Sequence, residues 1–281
     1  MSALGQSRRA TVVAYGVLTL LAVAWIVPVM TALMISVLPL ADSRHGWWHF
    51  DPGHISLGNF ARVWDDAGLS GQVLNSFVIT LGAVAVTVAA GVLASYAFAR
   101  LHFVGKRIAY FLLVTTMIVP IQIILIPLLP WFQTLGLAHG NWQFLGIILV
   151  HTAFGAGWAV FMLSTFFADI PQELLDAARV DGAGHLGIFR RIVLPLALPG
   201  IVSFAIIDFV FVWNDLLLAL TLLGKDFRPI TVGLANLQSP HLAQQDIVAA
   251  GAIIAILPPL VLFALLNRYY VRGLFAGGLK G

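Results

Sequence analysis

Six stretches of this chain, roughly 11–40, 73–99, 108–132, 144–167, 199–223 and 247–267, are almost wholly apolar, and each reaches the ~20 residues a helix needs to cross ~30 Å of hydrocarbon. Inside a bilayer no water is at hand for backbone N–H and C=O groups. Runs of this length are therefore confined to helices, which satisfy those groups internally. The expected fold is all-α: a polytopic membrane protein with six transmembrane helices and one domain covering 1–281. Composition agrees, because only 10% of the residues are charged, where soluble domains carry about 25%. The first run follows Arg8-Arg9 and is about twice the 7–15 residues of a secretory h-region. It reads as an uncleaved anchor. No internal repeat or low-complexity tract is evident.

Basic residues set the orientation. If the N-terminus is inside, the inner segments hold Arg8, Arg9, Arg100, Lys106, Arg107, Arg179, Arg190, Arg191, Arg268, Arg272 and Lys280. The outer segments hold only Arg44, Arg62, Lys225 and Arg228. This asymmetry predicts that both termini are cytoplasmic. It also makes the net charge of +3 a matter of topology and not of nucleic-acid affinity. Trp47, Trp48 and Trp64 in the first outer segment suit a headgroup interface. Pro229 and Pro240 favour a structured last outer loop.

Several chemistries are excluded. With no cysteine there is no disulfide, thiolate metal site or cysteine nucleophile. There is no G-x-x-x-x-G-K-[ST] phosphate loop, no H-E-x-x-H and no G-x-S-x-G. The chain reads as a conduit that binds no metal or cofactor of its own.

One segment breaks the apolar pattern. Residues 173–195 read ELLDAARVDGAGHLGIFRRIVLP, charged and punctuated by glycine. Between two spans, such a stretch is placed in water, where a soluble partner can reach it. Asp169 reads as an N-cap, Pro171 suits a first turn, and Glu173 favours the positive end of the helix dipole. Ala177 and Ala178 are small helix formers. Gly182 accepts φ > 0 cheaply and so stops the helix. A second short helix over about 184–192 then precedes Pro195, which is expected to break the path into the fifth span. The whole is a helix-turn-helix knuckle or, more plainly, an amphipathic connector.

The spacing of Asp176-Ala177-Ala178, Asp181-Gly182-Ala183 and Ile192-x-Leu194-Pro195 resembles the EAA loop of bacterial ABC importer permeases. The family's leading glutamate is Asp176 here, a carboxylate on a shorter arm. Further similarities are Ser95-Tyr96-Ala97-Phe98-Ala99-Arg100-Leu101, Met117-Ile118-Val119-Pro120-x-Gln122, Trp213-Asn214-Asp215 and the ending Gly277-Gly278-Leu279-Lys280-Gly281. Together they cover roughly residue 57 to the C-terminus and resemble the second of two non-identical permeases in maltose-type carbohydrate importers. The resemblance implies a type I importer permease fold in the inner membrane. It also implies a second homologous permease, two ATPase subunits that bind ATP and Mg, and an extracytoplasmic substrate-binding protein. Residues 173–195 would be the ATPase-docking loop, and the cargo a di- or oligosaccharide, with a glycerophosphodiester or polyol as the alternative.

Polar residues inside the spans are candidates for a substrate path. A carboxylate at mid-membrane costs roughly 2.5–3.5 kcal/mol on insertion scales, so Asp208 should face a cavity or a partner. Asp215 lies seven residues later on nearly the same helical face, with Phe211 and Val212 between them. Asp215 and Asn214 serve a sugar's hydroxyls or, equally, the end of the helix. Gln122, between Pro120 and Pro127, marks a kink that opens a cavity or is purely structural. His151 reads as an interhelical hydrogen bond or a substrate contact. Gly82 and Gly91 read as close-packing positions. An ion-coupled secondary transporter is the competing class, since it too would use intramembrane acids. An integral-membrane enzyme is a third, but no catalytic constellation supports it.

Overall fold

The computed structural model describes residues 8–43, 51–238 and 244–278. Arg44, Trp47, Trp48, Pro240 and the last three residues of the C-terminal ending lie outside them. The regular structure of the described residues is helical, with no strand among them: α1 (Arg8–Val37), α2 (Leu40–Ser43), α3 (Gly58–Ala61), α4 (Leu69–Arg100), α5 (Lys106–Thr115), α6 (Ile121–Thr134), α7 (Trp142–Ala168), α8 (Gln172–Val180), α9 (His185–Ile188), α10 (Leu194–Trp213), α11 (Leu217–Leu222), α12 (Ile230–Leu237) and α13 (Gln245–Gly278).

Among the described residues, five helices are long and apolar enough to cross a membrane: Ala10–Val37, Leu69–Arg100, Trp142–Ala168, His185–Trp213 and Gln245–Tyr269. The third apolar segment, expected as a single span over 108–132, is two helices, α5 and α6. Pro120 is the reason. It has no N–H to donate, and its ring pushes Val119 out of the helical region. It caps α6 in an extended conformation, φ −62° and ψ 127°.

Two local expectations need correction. Asp169 ends α7 instead of starting α8; its N–H donates to the Thr165 carbonyl at 3.1 Å, and the N-cap of α8 is Pro171. Nor does Pro195 break the chain. It sits in the first turn of α10, where its missing N–H costs least, and a π-helical turn over Phe189–Val193 joins α9 to α10 without interruption.

The chain groups into two compact units, residues 1–70 with 234–256 and residues 71–233 with 257–281. In the first, the buried Asn59 amide donates to the carbonyls of Ser36 (2.9 Å) and Leu38 (2.8 Å), and Arg62 pairs with the fully buried Asp246 at 2.8 Å. The second unit carries both candidate sites and has two apolar clusters. One joins Ile79, Leu125, Ile147, Val212 and Leu218. The other joins Val92, Leu163, Phe167, Leu175, Ile188 and Phe204. Gly82 and Gly91 of α4 meet Ile148 and Ala159 of α7 so closely that a methyl group on either would overlap its neighbour.

Candidate functional site

The 172–195 knuckle is positioned from below by one side chain to which sequence reasoning gave no such role. Arg100, the last residue of α4, sends its guanidinium into the C-terminal turn of α7. It donates from Nε to the Phe167 carbonyl (2.8 Å), from Nη2 to the carbonyls of Ala168 (3.3 Å) and Ile170, and from Nη1 to Gln172 Oε1 (3.2 Å). The last carbonyls of a helix have no partner in the helix itself, and a planar five-donor fork satisfies several together. A cavity of about 300 Å3 lies under the knuckle beside Arg100, His102, Arg179 and His185. Arg100→Lys keeps the charge but loses the fork, and should destabilise the assembled protein by about 1.5–3 kcal/mol, the range for charge-assisted hydrogen bonds. Thermal unfolding followed by size-exclusion checks this; an unchanged midpoint would remove Arg100 from that role.

The knuckle buries one face and offers the other. Leu175 and Ala178, three residues apart on α8, are buried with Ile188 and Val193 in the apolar cluster around Phe167, and Ala183, Ile192 and Leu194 pack partly against it. Glu173, Asp176, Ala177 and Asp181 are exposed, as is Pro195. Asp176 accepts from Arg179 Nη1 at 2.7 Å and from Gln172 Nε2 at 3.1 Å. Beside these charges stand three uncovered apolar side chains, Leu174 (48% exposed), Val180 (88%) and Leu186 (61%). Exposed apolar surface rimmed by polar residues is the character of an interaction site.

Gly182 makes the turn. Its φ is +80°, its N–H donates to the Arg179 carbonyl at 3.0 Å, and the Ala183 N–H reaches back to Ala178 at 2.9 Å. This pair of bonds around a left-handed residue is the Schellman ending of a helix.

At the far end of α10 the candidate path residues divide. Asp208 is buried (5% exposed) against Gly155 of α7 and beside Thr87 of α4; Asp208 Oδ2 and Thr87 Oγ1 have no hydrogen bond. Phe211, one turn further on, is 57% exposed. Asn214 is exposed and donates to the Val210 carbonyl at 2.8 Å. Asp215 turns inward, accepting the Leu218 and Ala219 N–H groups at 3.2 and 3.1 Å, so that it caps the start of α11. His151, buried in α7, has Nε2 3.7 Å from Asp215 Oδ2, and a cavity of about 10 Å3 lies among Ser76, Thr80, His151 and Asp215. Gln122 is exposed at the start of α6.

A collar that sequence reasoning missed holds this end. Thr231 Oγ1 donates to the Asp215 carbonyl (2.6 Å), Ser76 Oγ accepts from the Ile230 N–H (2.8 Å), and Gln143 Oε1 accepts from the Gly224 N–H (2.6 Å). The only signal was a serine and a glutamine beside span starts and a threonine in the last outer loop.

Residues 87–275, more than half of the chain, match the family described as binding-protein-dependent transport system inner membrane component. An osmoprotective compounds uptake permease of Synechocystis is 39% identical over 92% of this chain and 89% of its own length. A trehalose transport system permease of Mycobacterium tuberculosis is 34% identical over 98% and 99%. In fold, the chain is similar to a crystal structure of a bacterial ABC transporter that imports the acidic polysaccharide alginate, with a TM-score of 0.80, 21% identity, and 96% and 100% of the two chains covered.

Proposed function

The chain belongs to the family of binding-protein-dependent transport system inner membrane components, and from that premise we propose that it is one of two permease halves of an ATP-driven sugar importer, gripped by a separate ATPase through the 172–195 knuckle. It is a multi-pass inner-membrane transport subunit and not an enzyme. ATP and Mg belong to the ATPase partners, two in number; this chain acts as one transmembrane permease domain, and a second homologous permease completes the membrane part. A substrate-binding protein docks on the side away from the knuckle. Both termini then lie in the cytoplasm, as the basic residues require.

The observation that carries this reading is the exposed trio Leu174, Val180 and Leu186 on an otherwise charged knuckle whose other face is rooted in the core. An apolar surface of this kind in water calls for a cover, and a groove on a soluble subunit supplies one. Glu173, Asp176 and Asp181 surround it with polar groups, and the small exposed Ala177 leaves room for close approach. Reversing one charge, Asp176→Lys, should weaken co-purification of the ATPase subunit while the permease still inserts. Full association would remove Asp176 from the contact.

Sugar cargo is supported by the relative named for trehalose transport. The path is assigned to the exposed side of the α10 end, Phe211 and Asn214, together with Gln122. An aromatic face suits the apolar side of a sugar ring, and amides donate and accept to its hydroxyls. Asp208, His151 and Asp215 brace the helices that carry that side. Single cysteines at Phe211 and Asn214 should react with a water-soluble thiol reagent and be shielded by transported sugar, whereas one at Asp208 should stay inert. The reverse pattern would put the path on the other face.

A further inference from the structure

Between α4 and α10, on the knuckle side of the membrane, runs a groove of about 640 Å3. Its walls include Val88, Val92 and Leu93 from α4 and Leu198 and Ile201 from α10, and its mouth is formed by Phe189 and Arg190. Leu93 is 60% and Leu198 47% exposed, so the groove opens sideways off two membrane-spanning helices. Arg190 is the one polar residue lining it. We propose that this groove is a binding site for one anionic glycerophospholipid, an acyl chain lying along α10 and the headgroup phosphate on Arg190.

Three observations fix that occupant. First, the apolar walls adjoin hydrocarbon, where a soluble ligand has no access and an acyl chain is always at hand. Second, the length fits. From Phe189 to Ile201 a helix rises about 18 Å at 1.5 Å per residue, and one leaflet contributes about 15 Å of the ~30 Å core. Third, the charge fits. The Arg190 guanidinium is exposed and has no hydrogen bond or ion pair among the described residues, at the level where headgroups sit and where a cation favours anionic lipid over neutral lipid by about fivefold. The π-helical turn over Phe189–Val193 lies at this mouth, and Pro195, also in the wall, has no N–H that would need a partner there. Arg190 lies between the buried Ile188 and Val193, which root the knuckle. The lipid would thus bind at the base of the ATPase contact. The inference rests on the proposed function only for the leaflet that supplies the lipid, the cytoplasmic one.

The test uses the assembled transporter exchanged into vesicles of mixed phosphatidylglycerol and phosphatidylcholine, with retained lipid read by native mass spectrometry. The wild-type complex should keep phosphatidylglycerol about fivefold over phosphatidylcholine. Arg190→Glu should abolish that preference, and Leu198→Trp, which fills the groove, should reduce retention of either lipid. No retained lipid in the wild type, or an unchanged preference in Arg190→Glu, overturns the proposal. So does efficient cross-linking of a Leu198→Cys variant to the second permease, which would make the groove a subunit interface. Co-purification of the ATPase is scored in the same samples. Its failure in the wild type would sink the proposed function and leave the lipid result standing on its own.

Discussion

Gly182→Val is expected to insert and fold in the membrane and yet lose at least tenfold in ATPase association and in sugar-stimulated hydrolysis. Gly182 holds φ +80°, a region that costs an L-residue roughly 1–2 kcal/mol and a β-branched one more. Nothing lies within 4 Å of where its Cβ would go, so the penalty is conformational and not steric. The cheapest relief is to leave the left-handed region. That breaks the 3.0 and 2.9 Å bonds that close α8 and swings Asp181, Ala183 and α9 away from the face bearing Asp176. Gly182→Asn, which tolerates this region better, should recover part of the loss. Wild-type association in Gly182→Val would mean that the turn does not shape the contact.

The second large effect belongs to Gly157. A Cβ there would come within 2.6 Å of the Leu113 carbonyl oxygen and 2.6 Å of Thr116 Oγ1, and Thr116 already donates to that same carbonyl at 2.6 Å. A backbone atom held by its own helix cannot swing aside. Gly157→Ala should therefore force α5 off α7 at about 1–3 kcal/mol, the usual cost of overpacking. Against a total of about 5–15 kcal/mol, this lowers the yield of monodisperse protein and the unfolding midpoint by several degrees. Gly187→Ala is the matched control, because its methyl group would meet nothing within 4 Å and should change the midpoint little. Equal behaviour of the two variants would show that α5 and α7 are free to separate.

The parts of this architecture that were legible in the sequence are those set by local rules. Six apolar runs announce six segments because the cost of unpaired backbone in hydrocarbon depends on run length alone. Gly182 announces its turn because only glycine takes φ +80° cheaply. The break at Pro120 was half visible: the proline promised a kink, but whether a neighbouring helix would mend it is not written locally. The division of the α10 stripe was invisible. That helix is apolar all round, so no periodicity says that Asp208 and Asp215 turn inward while Phe211 turns outward; packing against α4 and α7 decides it. Arg100 was read as an inner-side cation and as part of the Ser95–Leu101 resemblance, with no partner assigned. Its cap on α7 joins residues 67 to 70 positions apart, a distance no motif spans.

The π-helical turn at Phe189–Val193 makes α9 and α10 one rod, His185–Trp213, 29 residues and so about 43 Å long. The rod's backbone is thinnest in hydrogen bonds over one short stretch, where the π turn is followed by Pro195 and Pro199, neither of which can donate to the turn behind it. Stiffness on either side with compliance in one place is the construction of a crank. A displacement imposed at the knuckle end would be carried along the rod toward Trp213, and the stretch from 189 to 199 would set how much of it arrives as rotation and how much is absorbed as bend.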